Sequence, residues 1–532
     1  MEHVVGNERF FDPEDIFFSV TDAKGVITRS NSTFVQLSAF GRDELIGAPH
    51  NLIRHETMPA GVFKLMWDDL FQGLPVCAYV VNKANDDLDY RVFAVVVPVG
   101  EDFLSVRMKP QNDEVRTLVE SVYETVRAEE RRVAGEGASR YEVGVYGAGE
   151  LAAAIAPLGF GSLYDMTQAL LPTELQLLLG AGVRVPETPE ATGPLSRILE
   201  VVRTVERDSD ALVRQLDEYS RLLGALDARA SEMDDMSRRA REVIAGVSSV
   251  GSPDADSSAP RTSERVSTAL SRAVDILASL PAEMDELSRQ VIRLRFLASQ
   301  MRLLTLMVGR FAASAVHDGE EDALASMTLL CRALEEGTGN LSETSEAVRS
   351  GVAELDVHTR ALVKDLDSTQ RPLDRWVRTL RDEGAVLLEP SSEPVDDEAA
   401  SDDVADEPAQ ESAEATASEQ GDRGSAGDQA DDDQAAGEPE DEVEDEAAAS
   451  DDAAGEPEDE VEGEVAASDE GCAAVVARVE ALAQQGFPEA GPMAALAAEC
   501  RGLELPFDKE AFDAGFRVLH EELEAYTGAE EG

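Results

Sequence analysis

The feature that most constrains the fold of this chain is the spacing of its apolar residues between positions 194 and 385. Apolar and small residues there recur at alternating steps of three and four, which places them on one face of a helix that another helix must cover. The pattern forms three series, which run over 195–233, 266–301 and 324–376. Because such faces need partners, we predict long helices that associate as a coiled coil or an antiparallel bundle, either within one chain or between two copies.

The N-terminal fifth of the chain has a different pattern. Two short β-rich runs are joined by a turn at Gly25, and two short helical patterns follow. Met58 and Pro59 then begin a helix with apolar residues at helical spacing, and three β-branched runs separated by polar turns complete the segment. This order predicts an α+β domain over residues 10–110, with a five-stranded antiparallel sheet, helices on one face and an interior cavity between them.

Residues 49–67 read PHNLIRHETMPAGVFKLMW. This stretch resembles the PAS domain of the bacterial aerotaxis receptor family, which typically reads PHNxxRHPDMPxxxFxxMW. The resemblance covers residues 10–110 and implies a sensor pocket that holds FAD. Arginine offers fixed donors to a phosphate or a flavin carbonyl, and tryptophan offers a ring that stacks on a flat cofactor. By position, the resemblance implies four cofactor-binding residues, which are Asn31, Arg54, His55 and Trp67.

The chain departs from the family pattern at four pocket positions, which are Glu56, Thr57, Val76 and Arg91. Three interpretations therefore stay open. In the first, FAD is retained, and in the second another ligand takes its place. In the third, the domain holds no ligand, Trp67 and Phe63 are ordinary core residues, and Arg54 makes a structural hydrogen bond.

Residues 300–316 read QMRLLTLMVGRFAASAV and resemble the signalling tip of chemotaxis receptors, which reads QTNLLALNASIEAARAGE. The apolar positions match, whereas Met307, Phe311 and Ser314 replace polar residues of that family. The resemblance implies a helical output region, and it makes a chemotaxis kinase or its coupling protein the candidate partner. The replaced polar positions lie in the tip by which receptors of this family grip those partners.

The net charge of the chain is −62, and it is unevenly spread. Residues 391–470 hold 33 acidic residues and one arginine, which predicts a disordered acidic linker over 388–470. Helical patterns on either side predict a helical connector over 111–190 and a small C-terminal helical module over 471–527. Because so acidic a surface repels phosphate groups, we predict neither nucleic acid nor membrane as a partner.

Nothing in the sequence has the pattern of an enzyme. A phosphate loop, a GxSxG elbow and a kinase glycine-rich loop are absent, and the six histidines show no metal-ligand spacing. The cysteines are far apart and form no CxxC pair, and they are Cys77, Cys331, Cys472 and Cys500. The first 15 residues lack the pattern of a signal peptide. We therefore predict no catalytic residue, no metal site and a cytoplasmic location.

These patterns together predict a cytoplasmic signal-transduction protein that acts as a homodimer. Its PAS domain senses redox state or a small ligand, and coiled-coil helices relay the signal as they do in chemotaxis receptors. The alternative belongs to another class, a ligand-free PAS and coiled-coil scaffold that dimerises and recruits protein partners. A visible flavin spectrum on the purified protein separates the two hypotheses.

Overall fold

The computed structural model describes residues 3–5, 7–232, 234–251, 258–318, 321–384, 386–387, 469–487 and 490–530. The predicted acidic linker therefore lies outside the described residues, apart from its last two positions.

An antiparallel sheet forms the centre of the N-terminal domain. Its strands are β1 (His3–Val5), β2 (Glu8–Phe10), β3 (Phe17–Thr21), β4 (Ile27–Ser30), β5 (Val76–Lys83), β6 (Asp89–Val99) and β7 (Asp102–Met108). Five of them lie in the order β4-β3-β7-β6-β5, and every neighbouring pair is antiparallel. The hairpin of β1 and β2 adds to β6 by one parallel pairing. The predicted five-stranded sheet is confirmed, with this hairpin as an addition.

The turn between β3 and β4 follows from two residue types. The carboxylate of Asp22 accepts the backbone N–H groups of Lys24 and Val26 at 2.9 Å each. Gly25 has φ +74°, in the left-handed region where a side chain is unfavourable. The turn thus forms where the sequence predicts it.

One face of the sheet is covered by short helices and one longer helix. They are α1 (Ser32–Ser38), α2 (Arg42–Leu45), a 3-10 helix (His50–Ile53) and α3 (Ala60–Phe71). Pro59 precedes the first residue of α3, as its sequence predicts. Phe17, Phe34 and Tyr90 fill the core beneath α1, where the rings of Phe17 and Phe34 stack with centroids 5.6 Å apart.

The other face of the sheet is covered by helices from later in the chain. The connector helices are α4 (Asp113–Gly135), α5 (Arg140–Ile155) and α6 (Leu163–Gly180); α6 packs on β5 of this face, whereas α5 packs on α3 and α4. The hydroxyl of Tyr79 on β5 donates to Glu174 on α6 at 2.6 Å. The ring of Phe18 on β3 meets Phe311 edge-to-face, with centroids 5.5 Å apart. Phe311 belongs to the receptor-tip-like segment, so this segment packs directly on the sheet.

The heptad region forms a bundle within one chain. Its helices are α7 (Gly193–Glu232), α8 (Asp234–Ser249), α9 (Ala259–Asp318) and α10 (Glu321–Glu383), with a two-stranded pairing of β8 (Val250–Gly251) and β9 (Val386–Leu387). Ion pairs show that consecutive long helices run antiparallel. The pairs Arg302–Asp210 and Arg295–Asp217 join α9 to α7, and the pairs Arg272–Asp365 and Glu283–His358 join α9 to α10. Where the structure describes their side chains, the predicted seams are buried, and Leu216 and Leu270 have no exposed surface. The long-helix prediction is confirmed, with the helices packed in cis.

The C-terminal helices are α11 (Asp469–Gln485), α12 (Gly491–Gly502) and α13 (Lys509–Glu530). They pack along α7, α8 and α10. In the described part of the chain, no single helix combines the length and the hydropathy of a membrane span. The pair of α5 and α6, extended through Leu158 and bent by 55°, passes that test by length and composition alone.

Three helices meet at a glycine contact beside the sheet. A methyl group at Gly61 on α3 would overlap the backbone of Gly147 on α5, and one at Gly147 would overlap the carboxylate of Glu130 on α4. The Glu130 carboxylate is fully buried and accepts the N–H groups of Ala60 and Gly61 at 2.8 Å each. It thereby satisfies the first backbone donors of α3 and complements the helix dipole.

We expect Gly61→Ala and Gly147→Ala each to lower the free energy of unfolding by about 1–3 kcal/mol, because the added methyl group meets backbone or a buried carboxylate. Gly149→Ala is the matched control. It lies on the exposed side of α5 with nothing near its would-be Cβ atom, so it should be neutral or stabilise by about 0.5–1 kcal/mol. Calorimetry measures the free energy of unfolding of each variant, and amide hydrogen exchange measures the local stability of α3. Equal effects of Gly147→Ala and Gly149→Ala would contradict the contact.

Candidate ligand-binding cavity

A cavity of about 410 Å³ lies between α3, the inner face of the sheet and the first turn of α5. This volume is within the range of small-molecule sites in proteins. Its apolar wall comes from α3 and the central strands, and consists of Ala60, Phe63, Met66, Trp67, Leu70, Val80, Ala94 and Val96. Arg140, Tyr141 and Gly144 of α5 complete the opening, so a helix outside the predicted sensor domain contributes to the site.

Trp67 is fixed by close packing against two neighbours. A Cβ atom at Gly25 would lie 3.2 Å from the Trp67 ring, tighter than ordinary contact. Trp67 also meets Phe103 edge-to-face, with centroids 5.2 Å apart. The ring is therefore held as a wall of the cavity, and glycine at position 25 serves both the turn and this close approach.

Two buried polar groups on the strands lack a partner. Asn82 on β5 and Ser105 on β7 are 2% and 5% exposed, and both line the cavity. The side-chain nitrogen of Asn82 and the hydroxyl of Ser105 make no hydrogen bond to any described residue. A buried donor without a partner costs about 1–3 kcal/mol, so such groups are retained where something else satisfies them. Because both groups also line the cavity, a ligand with hydrogen-bonding edges would satisfy them.

A buried arginine lies beside them. Arg107 on β7 is 5% exposed, and it donates to the Ser19 hydroxyl at 2.9 Å and to Nε2 of His50 at 2.7 Å. Its described hydrogen-bond partners include no carboxylate, and burial lowers its pKa to about 10. Because a guanidinium only donates, His50 must accept at Nε2 and is neutral. Burial, followed by the charge of Arg107, holds the pKa of His50 well below its usual value.

The charges around the cavity are all of one sign. Among the described residues, those that line it include five bases and no acid, and the bases are Lys24, Arg54, Lys64, Arg107 and Arg140. Lys64 is paired with Asp68 one turn along α3, at 2.5 Å. In a chain of net charge −62, a cavity whose charged lining residues are all bases favours an anionic or electron-rich ligand.

Two of the four predicted site residues lie at the cavity. Trp67 forms part of its wall, and Arg54 lines it with the guanidinium 4.0 Å from the centre of the Phe63 ring. Arg54 also donates to the carbonyl oxygen of Met58 at 3.1 Å. Burial, offset in part by the charge of Glu130, lowers the pKa of Arg54 to about 10. The structure thus brings Arg54 and Trp67 together at one site.

The other two predicted residues, Asn31 and His55, do not line this cavity. The Asn31 side chain caps α1, where its oxygen accepts the N–H groups of Phe34 and Phe18 at 3.2 Å each. The imidazole of His55 lies 2.7 Å from the Thr57 hydroxyl and 3.4 Å from the Asp89 carboxylate. Both residues have local structural roles in the described chain.

The polar floor of the cavity consists of Asn82, Ser105 and Arg107, and it was not predicted from the sequence. The signal was present in β7, which reads DFLSVRM, because Ser105 and Arg107 stand at alternating positions of an otherwise apolar strand. Alternation places both on one face, opposite Leu104 and Val106. His50 could also have been predicted as a residue of the site, since it stands inside the PHN motif.

Comparison with known proteins supports the fold of this domain. No family model matches the chain. The chain is 36% identical over 115 residues to the aerotaxis receptor of Escherichia coli (strain K12), a match that covers 21% of this chain and 22% of that receptor. The chain therefore spans about a fifth of the length of that curated relative. The N-terminal segment is a PAS domain similar to the one in the aerotaxis receptor.

Solved structures resemble part of the chain. The light-state structure of the blue-light photoreceptor Aureochrome1 LOV is 20% identical, with 20% of this chain and 89% of that chain covered and a TM-score of 0.18. The LOV protein of Rhodobacter sphaeroides is 14% identical, with 28% and 92% covered and a TM-score of 0.18. A domain of a sensory box sensor histidine kinase/response regulator from Geobacter sulfurreducens is 13% identical, with 18% and 83% covered and a TM-score of 0.16.

We expect the neutral His50 to make the stability of the protein depend on pH. Its folded-state pKa is lowered, so its contribution is complete above the unfolded-state pKa of about 6.5 and is lost as the pH falls below it, by at most about 1.4 kcal/mol per pH unit. His50→Gln keeps an acceptor for Arg107 but cannot titrate. Its free energy of unfolding should fall less than that of the wild type between about pH 7 and pH 5.

The matched control is His520→Gln, which makes the same replacement on the exposed surface of α13, away from the cavity. Chemical denaturation at a series of pH values measures all three proteins. If the free energy of unfolding of His50→Gln and that of the wild type fall in parallel, the prediction that buried His50 is neutral is wrong.

Proposed function

We propose that this protein is a cytoplasmic, non-enzymatic signal-transduction protein whose PAS domain binds a flat, anionic ligand, with FAD as the first candidate. One observation carries the proposal. The cavity combines an apolar wall with unpartnered buried donors at Asn82 and Ser105 and a lining that holds bases and no acids. Such a floor is costly in an empty domain, and it suits a planar ring with polar edges.

The residues present fit a flavin dinucleotide. Phe63, Met66 and Trp67 offer an apolar surface to a ring system, and Asn82, Ser105 and Arg107 offer hydrogen bonds to its polar edge. Lys24 and Arg140, at the opening, carry the charges that phosphate groups need. When bound, a flavin would supply a group that changes charge and protonation with its redox state.

Two contacts support a relay from the cavity to the helices. Glu130 ties the first turn of α3 to α4 and, through Gly147, to α5. On the opposite face of the sheet, Phe18 packs on Phe311 of α9, so the sheet touches the bundle without an intermediate helix. A ligand that displaces α3 or the sheet would thereby shift α5 and α9.

The proposed partner is a chemotaxis kinase or coupling protein, or a second copy of the chain. The tip-like segment of α9 has its apolar residues buried in the described structure, with Leu303, Leu306 and Ala312 at 2% exposure or less. Engagement of a kinase by this segment would therefore require its exposure. We propose that ligand state changes how firmly the PAS sheet covers it.

The ligand-free scaffold remains the second candidate, and one observation favours it. Arg54 already stacks on Phe63 and donates to the Met58 carbonyl group, which is the structural role that this alternative assigns to it. Trp67 likewise packs against Phe103. The two functions differ in whether the polar floor has an occupant.

The deciding experiment combines ligand analysis with Ser105→Ala. We expect visible flavin absorbance in the purified protein, and a flavin identified by mass spectrometry of the released ligand. Ser105→Ala removes an unpartnered buried hydroxyl, so it should raise the free energy of unfolding of the ligand-free protein by about 1 kcal/mol and weaken flavin binding about tenfold.

The control is Ser121→Ala on the exposed face of α4, where the hydroxyl donates to its own helix and both quantities should stay unchanged. A colourless protein that takes up no added flavin would decide for the scaffold. A Ser105→Ala protein that is less stable without ligand would show that the hydroxyl has a structural role.

A further inference from the structure

The three C-terminal helices together form the fourth side of the bundle. The antiparallel helices α7, α9 and α10 leave one lengthwise groove between α7 and α10, and α8 continues α7 along it. The segments α13, α12 and α11 fill this groove one after another. Arg197 at the start of α7 contacts Glu522 on α13, and Arg381 at the end of α10 contacts Glu480 on α11. The groove is thus occupied over the length of the bundle.

Specific polar contacts hold the C-terminal helices in the middle of the groove. The hydroxyl of Tyr219 on α7 donates to the carbonyl oxygen of Leu503 at 2.8 Å. The carboxylate of Asp356 on α10 is fully buried and is paired with Arg501 at 2.5 Å and with Arg360 at 2.8 Å. Because a buried carboxylate that loses a partner is strongly destabilising, the groove needs Arg501 or an equivalent base in this position.

Apolar residues of α13 close one end of the groove. Phe516, Leu519 and Leu523 are at most 3% exposed. The opposing Val201 of α7 lies 3.3 Å from the would-be Cβ atom of Gly515. Removal of these helices would expose a long apolar stripe on α7 and α10, which stable proteins avoid. The groove therefore stays covered, and whatever leaves it must be replaced by a segment of the same shape.

The covering segment is joined to the bundle by a long stretch of chain. Leu387 and Asp469 are separated by 81 residues, which can span at most about 270 Å at about 3.3 Å per residue. The 63 residues of α10 are about 95 Å long at 1.5 Å per residue. Chain length therefore permits the C-terminal helices to reach the groove of their own copy or that of a second copy.

We propose that residues 469–530 are an exchangeable element, which docks in the groove of its own chain in the monomer and in the groove of a second copy in a reciprocal dimer. The occupant is the same segment in both states, so Tyr219, Asp356 and Arg501 make identical contacts in cis and in trans. The balance between the two states is then set by protein concentration and by repulsion between chains of net charge −62. Salt screens that repulsion and favours the dimer.

Disulfide trapping between two full-length chains tests the exchange. Arg197→Cys and Glu522→Cys are placed on separate chains, which are mixed and then oxidised. Both chains carry Cys472→Ala and Cys500→Ala, because these two cysteines lie in the exchanging segment, whereas Cys77 and Cys331 are buried elsewhere in the fold. We expect a covalent heterodimer, because residues 197 and 522 meet in trans after exchange. Its yield should rise about in proportion to protein concentration in the dilute limit, and it should rise with salt.

A second pair serves as the matched control. Arg272→Cys and Asp365→Cys, on separate chains, join α9 and α10, which are neighbours along one chain and do not exchange under the proposal. This mixture should give no heterodimer above background. With both substitutions on one chain, each pair should give an intramolecular disulfide, which verifies that the variant folds.

Two results would overturn the proposal. One is a mixture of Arg197→Cys and Glu522→Cys chains that stays monomeric at all concentrations and salt levels, while the doubly substituted chain closes its own disulfide. The other is heterodimer formation by the α9–α10 control at the same yield, which would mean collision between chains rather than exchange of the C-terminal helices.

Discussion

Burial of both faces of the PAS sheet is the constraint on which the arrangement of the whole chain depends. Its inner face lines the cavity, and its outer face carries Phe18 and Tyr79 against α9 and α6. A strand buried on both faces needs apolar residues at successive positions, and β6 reads VFAVVVPV after its first three residues. The PAS domain and the bundle therefore share a hydrophobic core, so a change in sheet geometry cannot be confined to the cavity.

The buried Glu130 carboxylate constrains the helices around the cavity in a similar way. It is fully buried, and Arg127 contacts it at 3.0 Å while the first N–H groups of α3 donate to it. Withdrawal of α3 would leave this charge without its donors in a region that water does not reach, which is costly. The backbone contact of Gly61 with Gly147 leaves no space for sliding. For these two reasons α3, α4 and α5 should move as a unit, and α5 carries the Arg140 side of the cavity opening.

Most of the fold could be predicted from the sequence, whereas only two of the four predicted site residues line the cavity. Strand alternation, the turn at Gly25 and the start of α3 after Pro59 are local properties, and heptad spacing shows which face of each long helix is covered. Local patterns do not show which partner covers a face, so the return of α5 onto the cavity and the docking of α11–α13 were not predicted. Asn31 caps α1 and does not line the cavity, because a residue at a strand end can cap the next helix as readily as face a pocket. Arg107 could not be assigned to the site from the sequence, because a polar residue in a strand can face solvent as readily as a cavity.

Charge and packing together bear on how this chain could be regulated. The charged residues that line the cavity are bases in a molecule of net charge −62, so the cavity would attract an anionic ligand whereas the remaining surface repels anions. The bundle meanwhile buries its seams without a second copy, which removes the usual reason for a coiled-coil protein to be an obligate dimer. Association of two copies can then depend on protein concentration and on salt. A shift of the sheet that loosens Phe311 would act on the same α9 that supports the exchangeable groove, and in this way one structural change could alter both tip exposure and oligomeric state.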